Sequence, residues 1–299
     1  MAKSPELDRV IDLVKSRDID ESQGATEGRR RSFEQMTDGF TIGVPAKYSR
    51  VNAGGVTAEW VTAEGASDSR VVLYFHGGGY IIGSPRTHRA MLAELSRASG
   101  ARVLALDYRL APEHPFPAPV EDSVFSYRWL LNEGYDPARI AVGGDSAGGG
   151  LTVSMMVQAR YVGLPMPGAG VCISPWVDME GLGESMATRA SVDPMVGKEN
   201  LMVSARTYLG GSNPRAPLAA PIYADLRGLP PILIQVGDAE VLLDDSTRLA
   251  GVAREAGVEV RMDVWDDMIH VWHLFAPILP EGRQAIEQAG DFIKKHTGG

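Results

Sequence analysis

Short apolar segments alternate with stretches of helical periodicity along most of the chain. Helical patterns run, for example, from Arg86 to Ala98 and from Leu151 to Val157. A crossover helix carries the chain back to the end at which the previous strand began, so the strands that it joins pair in parallel. The pattern therefore predicts an α/β fold with a mostly parallel central sheet and helices on both faces. The predicted strands are Val51–Trp60, Val71–Phe75, Val103–Leu106, Ile140–Gly143, Gly170–Ser174, Ile232–Val236 and Val258–Trp265.

One serine lies where a predicted strand turns into a helix. Ser146 is the centre of Gly144-Asp145-Ser146-Ala147-Gly148, which follows a strand-like run and precedes a helical one. The two glycines allow the strand, the helix and a substrate to approach the turn closely. The helix begins directly behind the serine, so its first N–H groups, including that of Ala147, favour negative charge there. The pattern is typical of a nucleophilic serine, although Gly-x-Ser-x-Gly alone is weak evidence because both residue types are common.

A glycine-rich loop follows an upstream strand. The apolar run Val71–Phe75 leads into His76-Gly77-Gly78-Gly79-Tyr80. A flexible hairpin would have polar flanks and a second strand close behind, whereas a helical pattern follows here. The loop is the type that completes an oxyanion hole, and we predict that the N–H groups of Gly78, Gly79 and Ala147 form it.

With these two motifs the chain resembles the hormone-sensitive-lipase-like α/β-hydrolases, also called bacterial family IV esterases. The stretch from Asp107 to Ala118 looks like the signature segment of that family, and the resemblance covers nearly the whole chain. It implies a Ser-His-acid triad, ester hydrolysis without a metal or cofactor, and a cap over the active site. Residues 1–45 and 178–215 resemble the two cap pieces, and residues 46–177 and 216–299 then form the catalytic domain.

The resemblance also gives supporting roles to polar residues near the two motifs. His76 is expected to steady the glycine loop by hydrogen bonds, and Asp145 is expected to support the nucleophile. A second set, in the signature segment, is expected to form a buried polar network that braces the oxyanion loop. Its members are Asp107, Arg109, Glu113 and His114.

The general base is expected downstream of Ser146, because triad partners in this fold follow in the order nucleophile, acid, histidine. Three histidines qualify by position. His270 matches the base in a Met-x-His pattern of the family, here Met268-Ile269-His270. His273 is expected to be a partly buried helix residue, and His296 a solvated residue of the polar C-terminal tail.

Several carboxylates follow the strand Ile232–Val236, and one of them is expected to orient His270. In the family motif, the acid is followed by leucine two positions later and by aspartate four positions later. The stretch from Glu240 to Asp244 fits this pattern, with glutamate where most members carry aspartate. Asp238 fits less well, because Glu240 would then occupy the leucine position. We predict Glu240 as the acid, with Asp238 as the alternative; a carboxylate one methylene longer can still fix the imidazole.

The substrate and its pocket are less determined by the sequence. Tyr80, Phe40 and Trp176 are candidate substrate-binding residues, although ordinary packing explains each nearly as well. The resemblance implies short to medium acyl chains, and the charged N-terminal segment gives little support for the wide apolar cap of a long-chain lipase. An amidase or peptidase could use the same triad. A non-catalytic ligand receptor on this fold would have lost a triad member, whereas this chain retains Ser146, a carboxylate and His270.

Composition and charge limit the classes of partner that the chain is expected to bind. The 299 residues carry a net charge of −9, which argues against nucleic-acid binding, and the one cysteine permits no internal disulfide. The run Arg29-Arg30-Arg31 is expected to be a solvated helix face. Without a signal sequence or a stretch of about 18 apolar residues, the chain is expected to be cytoplasmic and not inserted in a membrane. The expected partner is a small-molecule ester. Family members often dimerise through the last strand, here Val258–Trp265, but these residues do not determine the oligomeric state.

Overall fold

The structure is a computed structural model that describes residues 4–16 and 24–298. Residues 1–3 and 17–23 of the predicted N-terminal cap piece, and Gly299, lie outside the described residues. The described residues form an eight-stranded sheet in the order β1-β2-β4-β3-β5-β6-β7-β8, in which β1, β2 and β4 pair antiparallel and the remaining pairs are parallel. The strands are β1 (Ala46–Ala53), β2 (Val56–Ala63), β3 (Ser67–Phe75), β4 (Ala101–Leu106), β5 (Ile140–Asp145), β6 (Ala169–Ile173), β7 (Ile232–Gly237) and β8 (Val260–Trp265).

The sequence prediction was wrong for the first strand. The segment Val51–Trp60 is not one strand but the centre of a hairpin, in which β1 and β2 meet at Gly54 and Gly55. Both glycines have positive φ, 71° and 99°, which a tight turn between antiparallel strands requires. The Asn52 side chain accepts a hydrogen bond from the Gly55 N–H at 2.6 Å and closes the turn. The other predicted strands are confirmed, with ends shifted by a few residues.

Helices cover both faces of the sheet. Alternate residues of a strand point to opposite faces, so Leu73 and Phe75 of β3 belong to one apolar core and Val72 and Tyr74 to the other. Helices α4, α5, α7 and α8 contribute to the first core, and α1, α2, α3 and α9 to the second. The α-helices are α1 (Pro5–Lys15), α2 (Ala25–Asp38), α3 (Pro85–Ser99), α4 (Ala118–Asn132), α5 (Ala147–Tyr161), α6 (Ser185–Thr188), α7 (Lys198–Leu209), α8 (Leu243–Glu255) and α9 (Pro280–Thr297).

Both segments that were predicted as cap pieces contact the catalytic part of the chain. From α2, the Arg30 guanidinium donates to the carbonyl of Ile81 at 2.9 Å and to that of Ala111 at 3.1 Å. From α7, the Tyr208 ring stacks on Tyr80 with 3.8 Å between the ring centroids. The two segments are therefore fixed to the chain that follows the glycine-rich loop. No α-helix within residues 4–16 and 24–298 is long and apolar enough to cross a membrane.

Helices α3 and α9 pack so closely that a glycine is required between them. A Cβ atom at Gly290 would lie 2.5 Å from the backbone carbon of Ala98, whereas one at Gly251 of α8 would meet nothing within 4 Å. Alanine has the higher helix propensity by about 1 kcal/mol, and overpacking costs about 1 to 3 kcal/mol.

We therefore predict that Gly290→Ala and Gly251→Ala change the free energy of unfolding in opposite directions. Gly290→Ala is expected to lower it, because the clash outweighs the gain in helix propensity. Gly251→Ala is the matched control and is expected to raise it by up to about 1 kcal/mol. Urea denaturation measures both, and an increase for Gly290→Ala would show that α3 and α9 can separate at little cost.

Candidate active site

Ser146 lies at a sharp turn between β5 and α5. Its backbone has φ 53° and ψ −118°, a combination that an ordinary residue adopts only at a cost of about 1 to 3 kcal/mol. The turn is possible because its glycines leave room for the backbone. A Cβ atom at Gly148 would lie 1.9 Å from the carbonyl oxygen of Phe75, and one at Gly144 would lie 2.4 Å from the backbone of Gly148. The serine is thus held at the carboxyl end of β5 by contacts that exclude any other residue at these two positions.

The glycine-rich loop lies next to this turn, at the end of β3. Gly78 and Gly79 have φ angles of 112° and 63°, and a Cβ atom at Gly78 would lie 2.2 Å from the carbonyl oxygen of Ile82. The N–H groups of Gly78 and Gly79 have no acceptor among the described residues. Ala147 begins α5, and the first N–H groups of a helix have no acceptor within it. These donors are available to an anionic oxygen.

Asp145 connects the glycine loop to the serine turn. Its carboxylate accepts hydrogen bonds from the Tyr74 hydroxyl at 2.9 Å and from the Gly77 N–H at 3.1 Å. His88 Nε2 donates to it at 3.3 Å. Burial alone would raise the pKa of Asp145, but His88 and Tyr74 outweigh that effect and lower it. The ionised carboxylate therefore fixes the loop against β5.

His76 is a neutral residue at the start of the loop. Its ring stacks on Tyr108 with 4.3 Å between the centroids, and the Tyr108 hydroxyl donates to the His76 carbonyl at 2.7 Å. The ring Nδ1 lies 2.7 Å from the carbonyl oxygen of Gly77 and donates to it. Burial lowers the pKa of His76 to about 3, so the side chain carries no charge at neutral pH. Its position agrees with a role in steadying the loop.

The expectation of a buried network from the signature segment was wrong. Asp107, Glu113 and His114 are exposed. The partners of the charged residues in this segment lie elsewhere: Arg109 binds Asp122, and Glu113 binds Arg30. Two uncharged residues of this segment reach the glycine loop: Tyr108 contacts His76, and the Ala111 N–H donates to the Tyr80 carbonyl at 2.9 Å. The available signal for Tyr108 was an aromatic residue between two charged ones, because a large aromatic side chain is buried more often than its charged neighbours.

His270 is buried beside one carboxylate, that of Glu240. Its Nδ1 lies 2.7 Å from Glu240 Oε2. The other oxygen of Glu240 accepts from the Ser174 hydroxyl at 2.9 Å and from the Gly237 N–H at 2.7 Å. Asp238 instead accepts from the Asp267 N–H at the surface, at 2.7 Å. The structure thus brings Glu240, and not Asp238, to the imidazole.

The proton affinity of His270 reflects two opposing effects. Burial favours the neutral imidazole and would lower its pKa, but the hydrogen bond and the charge of Glu240 favour the imidazolium more strongly. The net result is a raised pKa. Because Nδ1 donates to Glu240, the second nitrogen, Nε2, carries the free electron pair when the ring is neutral.

The other two downstream histidines have partners other than Glu240. His273 belongs to a short 3₁₀ helix, Trp272–Phe275, and is completely buried, with Nε2 3.0 Å from Gln235 Oε1. Burial lowers its pKa to about 3. His296 was expected to be a solvated tail residue, and this was wrong. It lies in the last turn of α9, where its ring packs against Phe292 at 4.5 Å and its side chain is 12% exposed.

Ser146, His270, Gly78 and Gly79 line one cavity of about 310 Å³. The segments predicted as cap pieces supply much of the remaining wall. The described side chains of the wall are mainly apolar, with a few polar groups and one arginine. The other lining residues are Val14, Arg29, Phe33, Ile82, Asp145, Pro194, Met195, Val196, Gly197, Asn200, Leu201, Ser204, Val271 and Leu274.

The three residues expected to bind the substrate lie outside this wall. Tyr80 and Trp176 are completely buried, because Tyr80 stacks on Tyr208 and Trp176 Nε1 donates to the Asp178 carbonyl at 3.0 Å. Phe40 packs edge-on against Phe275 at 5.8 Å. These aromatic side chains fill the packing between segments, whereas Phe33, Met195 and Leu274 line the cavity. The methionine-rich composition of residues 178–215 pointed to Met195, and the sequence gave no specific signal for Phe33 or Leu274.

Known proteins with the same overall structure carry esterase names. Residues 72–274 match a family model described as the α/β hydrolase fold. A solved esterase from the bacterial hormone-sensitive lipase family is 58% identical, with a TM-score of 0.96 over 99% of this chain and 100% of that one. The chain belongs to this family.

Two further relatives agree. An acetyl-hydrolase of Streptomyces hygroscopicus is 46% identical over 99% of this chain and 98% of its own length. The solved structure of EstE5, soaked with p-nitrophenyl butyrate, is 45% identical, with a TM-score of 0.94 over 99% of this chain and 100% of that one. The family member described here is therefore a carboxylesterase with an α/β-hydrolase fold.

Proposed function

We propose that this esterase hydrolyses short- to medium-chain acyl esters through a triad of Ser146, His270 and Glu240 and an acyl-enzyme intermediate. The proposal rests on one observation: the candidate nucleophile, the candidate general base and the candidate oxyanion donors all line one cavity. Ser146 is exposed to the cavity at a strained turn, Glu240 holds His270, and the unused N–H groups of Gly78 and Gly79 lie on the same wall.

The reaction follows from this arrangement. His270 Nε2 accepts the proton of the Ser146 hydroxyl, and the serine oxygen attacks the ester carbonyl. The N–H groups of Gly78, Gly79 and Ala147 donate to the oxyanion, and His270 returns its proton to the departing alcohol. Water then attacks the acyl-enzyme by the same sequence and releases the acid. Glu240 stays ionised and stabilises the imidazolium at both stages.

The size of the cavity favours small acyl groups. Its 310 Å³ lies at the lower end of the range of about 300 to 1,000 Å³ for ligand pockets. The apolar walls contributed by Leu201 and Leu274 suit a short hydrocarbon chain.

We predict that the kcat/KM for p-nitrophenyl esters is greatest between acetate and octanoate and falls steeply toward palmitate. Longer chains up to the optimum bury more apolar surface, and chains beyond it exceed the cavity. A series of esters from acetate to palmitate measures this directly. Faster hydrolysis of the palmitate than of the butyrate would contradict the proposed chain length.

We predict that substitutions of the triad separate Glu240 from Asp238. Ser146→Ala and His270→Ala are expected to lower kcat by about 10⁶, because the two residues act as one unit. Glu240→Gln is expected to lower it by about 10⁴, since the amide favours the wrong tautomer of the imidazole. Asp238→Asn, the control with the same chemical change, is expected to retain activity within a few fold.

A large loss with Asp238→Asn and a small loss with Glu240→Gln would contradict the proposed acid. Hydrolysis of the matching p-nitroanilide at a rate comparable with the ester would indicate an amidase. Ligand binding without turnover of any ester would indicate a receptor.

We predict an acid limb in the pH profile of kcat/KM that reports His270. Only the neutral imidazole accepts the serine proton, so activity is lost as the pH falls through the pKa of His270. Glu240 raises that pKa, so the midpoint is expected above the ordinary histidine value of about 6.5. In Glu240→Gln, the acid limb of the residual activity is expected to have its midpoint at a lower pH than in the wild type. An unchanged midpoint in that variant would assign the limb to another group.

A further inference from the structure

Arg29 is the arginine that the described part of the chain places in the wall of the catalytic cavity. It lies on α2 one helical turn before Phe33, and both side chains line the cavity with Ser146 and His270. The preceding expectation that Arg29, Arg30 and Arg31 form one solvated face was wrong. Successive helix residues point about 100° apart, so Arg30 reaches Glu113 and the loop carbonyls while Arg29 turns to the cavity.

The Arg29 guanidinium has no hydrogen bond or ion pair within residues 4–16 and 24–298. Burial lowers its pKa, and no carboxylate offsets that effect. Among the described wall residues the carboxylate is that of Asp145, whose oxygens are already engaged by Tyr74, Gly77 and His88. A half-buried cation without a counter-ion costs free energy, so an anion entering the cavity would restore the missing interaction.

The other described wall residues make the Arg29 guanidinium selective for a carboxylate over a neutral group. Asn200 and Ser204 are neutral, and most of the other side chains are apolar, as are Met195 and Leu274. A guanidinium in such surroundings binds a carboxylate through two parallel hydrogen bonds that are stronger than in open water. A neutral ester would leave it unpaired.

We propose that Arg29 binds a carboxylate of the substrate, so that the preferred class is esters that carry a carboxylate at a second position. Half-esters of dicarboxylic acids and O-acyl derivatives of hydroxy acids both have this chemistry. The inference rests on the proposed function, because it assumes that the cavity holds the ester during hydrolysis. It makes Arg29 a specificity-determining residue and gives it no part in bond cleavage.

Two pairs of matched esters test the proposal and locate the carboxylate. Mono-4-nitrophenyl adipate and 4-nitrophenyl hexanoate differ by a carboxylate on the acyl side. The acetate ester of 4-hydroxybenzoate and the same ester of methyl 4-hydroxybenzoate differ on the alcohol side. The wild type is compared with Arg29→Gln and Arg29→Lys, and with Arg9→Gln, which removes the same charge from an exposed position of α1 outside the cavity.

Arg29→Gln is expected to lower kcat/KM for the carboxylated ester of one pair by about 10- to 100-fold, mainly through KM, because a charge-assisted interaction is lost. Its activity on the neutral partner is expected to stay within about twofold, which also shows that the variant is folded. Arg29→Lys is expected to keep part of the preference, and Arg9→Gln all of it. The pair that responds shows which side of the ester faces Arg29.

An unchanged ratio of carboxylated to neutral ester in both pairs would overturn the proposal. So would an equal loss on all four esters, which would assign Arg29 to packing. In either case the hydrolysis of the neutral esters would leave the proposed function intact. Absence of turnover by the wild type on all four esters would instead overturn the proposed function, and this inference with it.

Discussion

The active site depends on one contact between backbone atoms, that of Gly148 with the end of β3. A Cβ atom at Gly148 would lie 1.9 Å from the carbonyl oxygen of Phe75, so no side chain separates the start of α5 from the residue before the glycine-rich loop. The distance between Ser146 and the N–H groups of the loop is therefore determined by this main-chain contact together with the Asp145 carboxylate, which accepts from the Gly77 N–H. Main-chain donors in a packed interior hardly reorganise during a reaction, which is the property that oxyanion stabilisation requires.

A second set of contacts fixes His270, the proposed general base. The Ser174 hydroxyl at the end of β6 donates to Glu240 and accepts from the Val271 N–H at 3.1 Å, so it links the acid to the segment that carries His270. Glu240 also accepts from the Gly237 N–H at the end of β7. A buried carboxylate is tolerated when its oxygens are engaged in this way. Glu240 and His270, the proposed acid and base, are thus held by the ends of neighbouring parallel strands, which lie at one edge of the sheet.

The sequence predicts those features that depend on local pattern. Fully buried strands such as β5 and β7 appear as mainly apolar runs with one polar residue each, and the turn at Ser146 has a glycine requirement that is visible in the residues themselves. The sequence does not predict features that depend on the direction in which a strand or a side chain points. Apolar residues continue through the turn at Gly54, so β1 and β2 appear as one strand, and spacing along the signature segment did not show that Asp107 points outward and Tyr108 inward.

The substrate cavity was the least predictable part for the same reason. Its wall comes from segments far apart in the chain, and aromatic or methionine content does not show which side chains face it. The α2 helix illustrates the point. Arg30 fixes the helix to the carbonyls of Ile81 and Ala111, beyond the glycine-rich loop, and this contact sets the rotation of the helix. With that rotation fixed, the preceding residue, Arg29, lines the cavity that also contains Ser146. Helix α2 therefore both lines the cavity and places the charge of Arg29 in it. A change in how this helix packs would alter the proposed substrate preference while Ser146, His270 and Glu240 stay the same.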